Sequence, residues 1–435
     1  MKKIFLLAFA VSAFSTVFAQ TAEHVVIITV DGFRPDFYLD STWNAFNIRQ
    51  LMPSGTYAYG VNSDFPSITY PSHTTIVTGV MPVRHGIYYN SVFEPTGSTG
   101  KIYWNNSSIK VPTLWAAATA RGLKVASLLW PVSADAPVLY DIPDIGSLGD
   151  SVRELYSKPA GFTRELRENV FGGADKINYG KDENTGRIAA YVIKKDKPSL
   201  MTIHLFSVDH FQHEQGRSGP LVRAAVADAD SAVGIIVAAL KDAGIWDKTV
   251  IIVTGDHGFL TITETVNPNV WLAGAGLITD LKKDEWKAQF YSAGGSTYLY
   301  LKDKNDKETL HKVMQLLDML PEAERNFIRI IDRPELDRIG ANPEVALALS
   351  GLSGASFGND VTGPAVKAAH GGTHGYFPDF REIQTGFVAH GPGIRQGGMI
   401  TVMNLRDIAP TVAELLGIPF PSAEGKVPEG LLGRP

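Results

Sequence analysis

The chain has 435 residues, of which 44% are hydrophobic and 20% are charged, and its net charge is -5. This is an ordinary globular composition, and its mild acidity argues against binding to nucleic-acid polymers, which needs a basic surface. The absence of cysteine excludes disulfides and cysteine-based zinc modules, so any metal ion must be held by His, Asp or Glu.

The first 19 residues have the pattern of a signal peptide. Lys2 and Lys3 give a basic start, a mostly apolar segment follows at 4–18, and small Ala19 ends it. That segment is too short to span a bilayer, and no other stretch is apolar enough to do so. We therefore expect cleavage after Ala19, a periplasmic or secreted protein and no membrane anchor. The alternative is a buried N-terminal helix.

Three continuous, largely apolar runs predict strands of a buried parallel sheet, at 24–30, 200–208 and 248–254. Each run is followed within two residues by a carboxylate, and these are Asp31, Asp209 and Asp256. The carboxyl ends of parallel strands meet at the ligand-binding edge of an open α/β sheet. We therefore expect the three carboxylates to lie together, although a capping role is the alternative for Asp31 alone.

Further elements complete an α/β pattern. Helices are predicted at 111–121, within 219–244, at 307–319 and at 404–416, and strands at 124–130, 296–301 and 382–390. The less regular, glycine-containing region 267–370 is interpreted as an insertion beside the sheet, in the form of a cap or lid. The predicted organisation is a signal peptide at 1–19 and one large domain at 20–435 that carries this insertion.

The stretch 64–79 is predicted to present Thr69 at a junction between a loop and a helix. Thr69 lies between Pro66 and Pro71, which fix φ and remove backbone donors, so a buried strand is excluded here. A hydroxyl at such a junction can meet an anion where the helix N-terminus offers free N–H groups. Because a free threonine is a poor nucleophile, it needs a base or a metal ion nearby.

Histidines accompany the carboxylates. His213 follows Asp209 at the spacing of one helical turn, His257 is adjacent to Asp256, and His374 lies in a glycine-rich loop. Together with Thr69 they form one candidate constellation: Asp31, Thr69, Asp209, His213, Asp256, His257 and His374. This set can divide into two metal sites, and paired ions stabilise the attacking and leaving oxygens of an in-line displacement.

These segments, in this order and spacing, resemble the alkaline phosphatase superfamily and, within it, the nucleotide pyrophosphatase/phosphodiesterase branch. The matching motifs are Val-Asp-Gly-Phe at 30–33, Pro-Ser-Ile-Thr-Tyr-Pro-Ser-His at 66–73, Thr-Gly at 78–79, His-Gly-Ile at 85–87 with Asn90, Asp-x-x-x-His at 209–213, Gly-Asp-His-Gly at 255–258 and Gly-Thr-His-Gly at 372–375. The resemblance implies an α/β, alkaline-phosphatase-like three-layer sandwich, with a mostly parallel central sheet and a smaller inserted subdomain.

The resemblance also implies two zinc ions, although other divalent metals suit the same ligands. One ion would be held by Asp209, His213 and His374. The other would be held by Asp31, Asp256 and His257, with Thr69 as its fourth ligand and as the nucleophile. Asn90 would contact a phosphate oxygen together with the backbone N–H of Tyr70, whose side chain matches a position that stacks on the leaving group. Thr69 would attack phosphorus in line, and hydrolysis of the phosphothreonine would follow.

Other residues of the motifs receive structural interpretations. His73 and His85 fit a hydrogen-bonding scaffold. Asn90, taken alone, is a turn residue. His204 stands where the family often has an aromatic residue flanking a base, which weakens the case for nucleotide stacking.

The choice between diesters and monoesters depends on cations near the site. A monoester carries nearly one more negative charge, which monoesterases of the superfamily meet with extra cations. Loop 131–137 has no Lys or Arg, so diesters or pyrophosphates are favoured as substrates. This would change if a basic residue from another part of the chain reached the site. The candidates are Arg34, Arg84, Lys101 and Arg217.

The expected function is therefore that of an exported two-zinc phosphodiesterase or nucleotide pyrophosphatase acting on a small molecule. The alternatives are a phosphomonoesterase of the same superfamily and a non-catalytic relative that binds a metal or a ligand. Nucleotides, nucleoside diphosphate sugars, cyclic dinucleotides and lipid head-group diesters all stay open as substrates.

Overall fold

The centre of the fold is an eight-stranded sheet, seen in a computed structural model that describes residues 22–352 and 354–433. We number its strands β1–β8 in chain order: His24–Val30, Gly55–Ala58, Val125–Leu128, Tyr140–Ile142, Leu200–Leu205, Thr249–Thr254, Phe387–His390 and Gly398–Ile400. They lie side by side in the order β8-β2-β7-β6-β1-β5-β3-β4. Strand β7 is antiparallel to both neighbours, and the other pairs are parallel.

Strand β1 shows why the sheet is covered on both faces. All seven of its residues are buried, and side chains alternate between the two faces of a strand. Val26 and Ile28 therefore enter one apolar core, whereas Val25 and Ile27 enter another. The predicted fold class, an α/β sandwich around a mostly parallel sheet, is confirmed.

Fifteen α-helices are present in the part of the chain that the structure describes. Those packed on the Val26 face are Asp36–Leu39, Phe46–Leu51, Phe162–Asn169, Asp182–Asp196, Ser207–Gln215 and Pro220–Asp242. Those packed on the Val25 face are Thr69–Thr78, Leu114–Ala120 and Ile408–Leu415. The others are Pro82–His85, Asp150–Tyr156, Pro268–Gly274, Lys307–Asp318, Glu322–Arg325 and Arg333–Arg338. Within the described ranges, no helix combines the length and apolarity that crossing a bilayer requires.

Between β6 and β7 the chain builds smaller sheets around a core of its own. A four-stranded antiparallel sheet has the order Ala288–Ala293, Ser296–Leu301, Leu347–Gly351, Ile328–Ile331. A three-stranded sheet has the order Ala355–Phe357, Glu264–Val266, Val366–Ala368. Two-stranded pairs in this region are Ile278–Asp280 with Glu285–Trp286 and Leu260–Thr261 with Gly372–Thr373. A further pair, outside this region, joins Val61–Asn62 with Met403–Asn404.

The apolar core of this region is separate from the two cores of the large sheet, and Phe290 and Leu349 lie within it. The predicted limits of the cap at 267–370 and of the large domain at 20–435 stay predictions. The predicted signal peptide at 1–19 lies outside the described residues.

One predicted strand is shorter than expected, and the difference matters for the site. The strand predicted at 200–208 stops at Leu205, and helix Ser207–Gln215 begins at once. The Asp182 carboxylate explains this early start, because it accepts the backbone N–H of Phe206 at 3.1 Å and the Ser207 hydroxyl. Asp209 therefore lies in the first turn of a helix, not at a strand end. The strand predicted at 382–390 is likewise reduced to Phe387–His390.

Candidate active site

Thr69 is the first residue of helix Thr69–Thr78, in agreement with the predicted junction. Ile68 before it is extended, and Gly79 ends the helix with φ of 69°. Every residue of this helix is buried, and Thr69 itself is 8% exposed. The packed helix therefore holds the Thr69 hydroxyl in a fixed place at its N-terminus, where backbone N–H groups lack intrahelical partners.

The structure brings the first group of predicted ligands beside Thr69. Asp31 and Asp256 follow the neighbouring parallel strands β1 and β6, whose residues Thr29 and Thr254 are in register. The Nε2 atom of His257 lies 3.2 Å from Asp31 Oδ1 and 3.2 Å from Asp256 Oδ2. The same Nε2 atom is 3.5 Å from the Thr69 hydroxyl. Three candidate ligands and the candidate nucleophile thus share one buried space.

Asp209 and two histidines form an adjoining group. His374 Nε2 is 3.5 Å from Asp209 Oδ1, and His213 Nε2 is 3.4 Å from Asp209 Oδ2. The rings of His257 and His374 stack with centroids 3.6 Å apart. Donor atoms of Asp209, His257 and His374 lie within 4.8 Å of one another, as do those of Asp31, Asp256 and His257. Because His257 borders both groups, the implied division of ligands between two ions stays a prediction.

His374 reaches this place through a short β-pairing and a glycine. Gly372–Thr373 pairs with Leu260–Thr261, which follows β6 and its ligands. Gly375 then has φ of 89°, and a Cβ atom there would lie 2.6 Å from the Ala293 carbonyl oxygen. A residue with a side chain cannot take that position without moving the loop.

Backbone carbonyls orient the three ligand imidazoles. The Nδ1 atoms of His213, His257 and His374 face carbonyl oxygens of Gly372, Gly258 and Ser67 at 3.0, 3.1 and 3.3 Å, respectively. A carbonyl oxygen only accepts, so each Nδ1 carries a proton, and in a neutral ring Nε2 is left with its lone pair. This is the arrangement in which metal-binding histidines are usually held.

A divalent cation fits this set of donors. The atoms Asp31 Oδ1, Asp209 Oδ1 and Asp256 Oδ2 are buried and accept no hydrogen bond. Carboxylate oxygens and imidazole lone pairs then face one another, which is unfavourable unless positive charge lies among them. Carboxylate and imidazole ligands suit zinc, manganese and similar ions.

Burial is the main cause of the pKa shifts of four residues in the site. Burial raises the pKa of Asp209 and of Asp256 well above the usual range, and the nearby Asp31 carboxylate adds to both shifts. Burial lowers the pKa of His374 and His213. Burial also acts upward on Asp31, but the His204 and His257 imidazoles hold its pKa well below the usual range. Two carboxylates and two imidazoles thus resist ionisation in the absence of a counter-charge.

Tyr70 and Asn90 lie together next to Thr69. The Tyr70 backbone N–H donates to Asn90 Oδ1 at 2.9 Å. The Tyr70 side chain is largely enclosed, since the residue is 8% exposed and its hydroxyl donates to the Asp144 carbonyl at 3.1 Å. Contact between Tyr70 and a leaving group, and between Asn90 and a phosphate oxygen, stay predictions.

His204 is a buried neighbour of the site whose contact sequence reasoning missed. It is 2% exposed, and its Nε2 lies 3.1 Å from Asp31 Oδ2. The register of β5 on β1 accounts for the contact, since it pairs His204 with Thr29, two residues before Asp31. The weaker case for nucleotide stacking stays a prediction. His73 is a scaffold residue as predicted, with Nδ1 2.9 Å from the Thr69 carbonyl and Nε2 2.8 Å from the Thr29 hydroxyl.

Three of the four basic residues considered for monoester recognition pair with carboxylates other than the candidate ligands. Arg34 and Arg217 both face Asp36, at 2.7 and 3.6 Å. Arg84 pairs with Glu424 at 3.2 Å, and Lys101 is exposed. Within the described ranges, no ion pair joins any of the four to the candidate ligands.

The chain matches a known protein family along most of its length. The sequence model of the type I phosphodiesterase / nucleotide pyrophosphatase family matches residues 25–376. The chain is 23% identical over 413 residues to a venom phosphodiesterase of Macrovipera lebetinus, covering 90% of this chain and 43% of that protein. It is 25% identical over 392 residues to human ectonucleotide pyrophosphatase/phosphodiesterase family member 1, covering 86% and 37% of the two. The chain spans less than half the length of these curated relatives.

Solved structures support the fold. Murine ectonucleotide pyrophosphatase / phosphodiesterase 5 matches with a TM-score of 0.69 and 20% identity, over 94% of this chain and all of that chain. An inactive threonine-to-alanine variant of the same murine protein, in complex with AMP, matches with the same TM-score. At this level of identity the likeness concerns the architecture of the chain.

Proposed function

This chain belongs to the type I phosphodiesterase / nucleotide pyrophosphatase family, and on that premise we propose that it is an exported, two-zinc enzyme that hydrolyses phosphodiester or phosphoanhydride bonds of small molecules. The observation that carries the proposal is the cluster of Asp31, Asp256 and His257, with His257 Nε2 3.5 Å from the Thr69 hydroxyl at a helix N-terminus. A hydroxyl alone would be inert, and a cation in this cluster would activate it.

Each residue has a proposed role. Asp31, Asp256 and His257 would hold the ion nearest Thr69, and Thr69 would be both its fourth ligand and the nucleophile. The second ion would be held by Asp209, His213 and His374. Bound divalent ions would supply positive charge next to the phosphoryl oxygens and lower the pKa of the Thr69 hydroxyl.

The residues of the chain then position the reaction in two steps. Thr69 Oγ1 forms a bond to phosphorus as the bond to the leaving-group oxygen breaks, which gives a phosphothreonine, and the Thr69 proton passes to solvent. In the second step a water oxygen bonds to phosphorus as the bond between phosphorus and Thr69 Oγ1 breaks. The water gives up a proton to solvent, and Thr69 Oγ1 takes one up, which regenerates the hydroxyl. Asn90 and the Tyr70 backbone N–H would bind a non-bridging phosphate oxygen during both displacements. The buried helix behind Thr69 keeps the nucleophile in line.

The distribution of cations supports diesters over monoesters. Arg34, Arg84 and Arg217 are engaged with other carboxylates, so none of them compensates the extra charge of a monoester. The second candidate function, a phosphomonoesterase, would need a cation other than these three arginines near the phosphate. Export rests on the sequence pattern of residues 1–19, and a mature protein beginning at Gln20, determined by mass spectrometry, would support it.

The decisive experiment compares esters on zinc-loaded protein. Bis-p-nitrophenyl phosphate should be hydrolysed much faster than p-nitrophenyl phosphate, and Thr69→Ala should lower diester turnover by about 10³-fold or more. Thr78→Ala is the matched control, since it removes a buried hydroxyl from the other end of the same helix. Faster monoester turnover would favour the phosphomonoesterase. Zinc binding without hydrolysis of either ester would favour a non-catalytic relative.

A further inference from the structure

His204 is a buried side chain of the site that has no part in the proposed reaction. It lies at the carboxyl end of β5 and is 2% exposed. Its Nδ1 is 3.0 Å from the Leu129 carbonyl oxygen, and its Nε2 is 3.1 Å from Asp31 Oδ2. Its ring also packs against that of His73, with centroids 4.3 Å apart. Both partners are acceptors, so the ring donates from Nδ1 to the Leu129 carbonyl and from Nε2 to Asp31 Oδ2, which requires a proton on each nitrogen.

The two oxygens of the Asp31 carboxylate face different neighbours. Oδ1 faces the cluster of candidate ligands, lies 3.2 Å from His257 Nε2 and accepts no hydrogen bond. Oδ2 is turned away from that cluster, towards His204. Because both oxygens belong to one planar group, a bond that fixes Oδ2 also fixes the direction of Oδ1.

We propose that His204 is a positioning residue for Asp31, whose Oδ2 it holds so that Oδ1 alone is presented to the ion beside Thr69. The inference rests on the proposed function, since that ion is what Oδ1 would bind. Hydrogen bonds to the non-coordinating side of a ligand are a general device for orienting metal ligands, and their loss typically costs about 10–100-fold in metal affinity.

The backbone behind His204 supports this role. Leu129, whose carbonyl faces His204 Nδ1, has φ of 56°, a conformation that residues with a side chain rarely adopt. Its own N–H donates to the Ile142 carbonyl at 2.6 Å. The surrounding fold therefore keeps Leu129 in an unfavourable backbone conformation at the point where its carbonyl reaches His204, as found where strain serves a site.

The test uses substitutions that separate the donor from the shape of the side chain. His204→Phe keeps a ring and removes both nitrogens, whereas His204→Gln keeps an N–H group long enough to reach Asp31. His204→Asn carries the same amide on a shorter side chain that falls short of Asp31, and it replaces His204→Phe if the latter does not fold. His24→Phe is the matched control, because His24 is a buried strand histidine whose Nδ1 lies 2.9 Å from the Pro198 carbonyl oxygen.

The readouts are zinc affinity, by competition with a chromophoric chelator, and the visible spectrum of the Co²⁺-substituted protein. Without the donor, one of two zinc equivalents should bind about 10–100-fold more weakly, with a changed Co²⁺ spectrum for that equivalent. His204→Gln should restore most of the affinity, and His24→Phe should match the wild type. Circular dichroism in chelator checks that each variant is folded.

Two results would overturn the proposal. The first is a zinc affinity and a Co²⁺ spectrum in His204→Phe or His204→Asn that match those of the wild type. The second is a loss of zinc affinity in His204→Gln as large as that in His204→Phe or His204→Asn. Failure of the proposed function would look different. In that case the wild type itself would bind no zinc, or would hydrolyse no ester, before any variant was compared.

Discussion

The backbone N–H of Tyr70 donates to Asn90 Oδ1 at 2.9 Å, directly beside Thr69. This bond fixes which way the amide faces: with Oδ1 turned to an N–H group, the Asn90 NH₂ group is directed elsewhere and is free to donate. Two groups predicted to bind the same phosphate oxygen therefore already hold each other in place. When a phosphate approaches, the Tyr70 N–H would leave the Asn90 amide oxygen and donate to a phosphate oxygen. The phosphate oxygen is charged and is therefore the stronger acceptor.

Asn90→Asp should abolish most activity without disturbing this contact. A carboxylate accepts the Tyr70 N–H as well as the amide does, but it donates nothing to phosphate and adds a negative charge. We expect kcat/KM for bis-p-nitrophenyl phosphate to fall by about 10²-fold or more, the usual effect of losing one oxyanion donor. Steady-state kinetics would measure this. Asn184→Asp, which adds the same charge on helix Asp182–Asp196, should leave kcat/KM unchanged. Similar losses in both variants would contradict the assigned role of Asn90.

Removal of metal should lower stability as well as activity. Ions that bind only the folded chain stabilise it, by about 2.7 kcal/mol for each site at a free concentration of about 100 times Kd. Urea unfolding with zinc and with a chelator would measure the difference. Asp256→Asn should reduce it, whereas Asp64→Asn, a change of a buried carboxylate outside the site, should not. If the chelator changed neither the urea midpoint of unfolding nor the activity, a metal centre would be excluded.

Gly375→Ala should displace His374. Gly375 has φ of 89°, and an added Cβ would lie 2.6 Å from the Ala293 carbonyl oxygen and 2.8 Å from Ile68 Cγ2. Gly363 has φ of 90° with nothing within 4 Å, so Gly363→Ala carries the backbone strain alone, about 1–2 kcal/mol. We expect Gly375→Ala to lose more stability than this control and also to bind zinc more weakly. Equal urea midpoints and equal zinc affinities in the two variants would show that the loop is more adaptable than its contacts indicate.

His85 should make the fold sensitive to acid. Burial lowers the pKa of its imidazole to about 3, from an unfolded value near 6.5. Between these values the unfolded chain binds the proton and the folded chain does not. Stability from this group is thus complete above about pH 6.5 and is lost progressively as the pH falls towards 3.

His85→Gln removes this titration. Between about pH 7 and pH 4.5 the wild type should lose about 2–3 kcal/mol more free energy of unfolding than the variant does. Urea unfolding in the presence of a chelator measures this without a contribution from metal release. His311→Gln, at an exposed position, should keep the wild-type loss. A variant as acid-sensitive as the wild type would mean that His85 is not the group responsible.

Local sequence signals predicted the elements that carry the site. Strand β1 and helix Thr69–Thr78 begin where the apolar run and the paired prolines indicate, because these constraints act on neighbouring residues. The meeting of Asp31 and Asp256 followed from the general geometry of parallel strands.

The remainder depended on partners that are distant in sequence. Asp209 lies on a helix because the Asp182 carboxylate, far earlier in the chain, accepts the N–H groups at its start. The contact of His204 with Asp31 depends on the register between β5 and β1, which a single sequence does not specify. The stacking of His257 on His374 depends on a loop that returns beside β6.

Strand β7 lies between β2 and β6 within the sheet, yet the whole insertion separates it from β6 in the chain. Until residue 390 is available, β6 lacks its neighbour on one side, and the loops that carry Asp256 and His257 lack their support. The part of the site that Asp256 and His257 form therefore depends on a segment that the chain reaches only after the whole insertion.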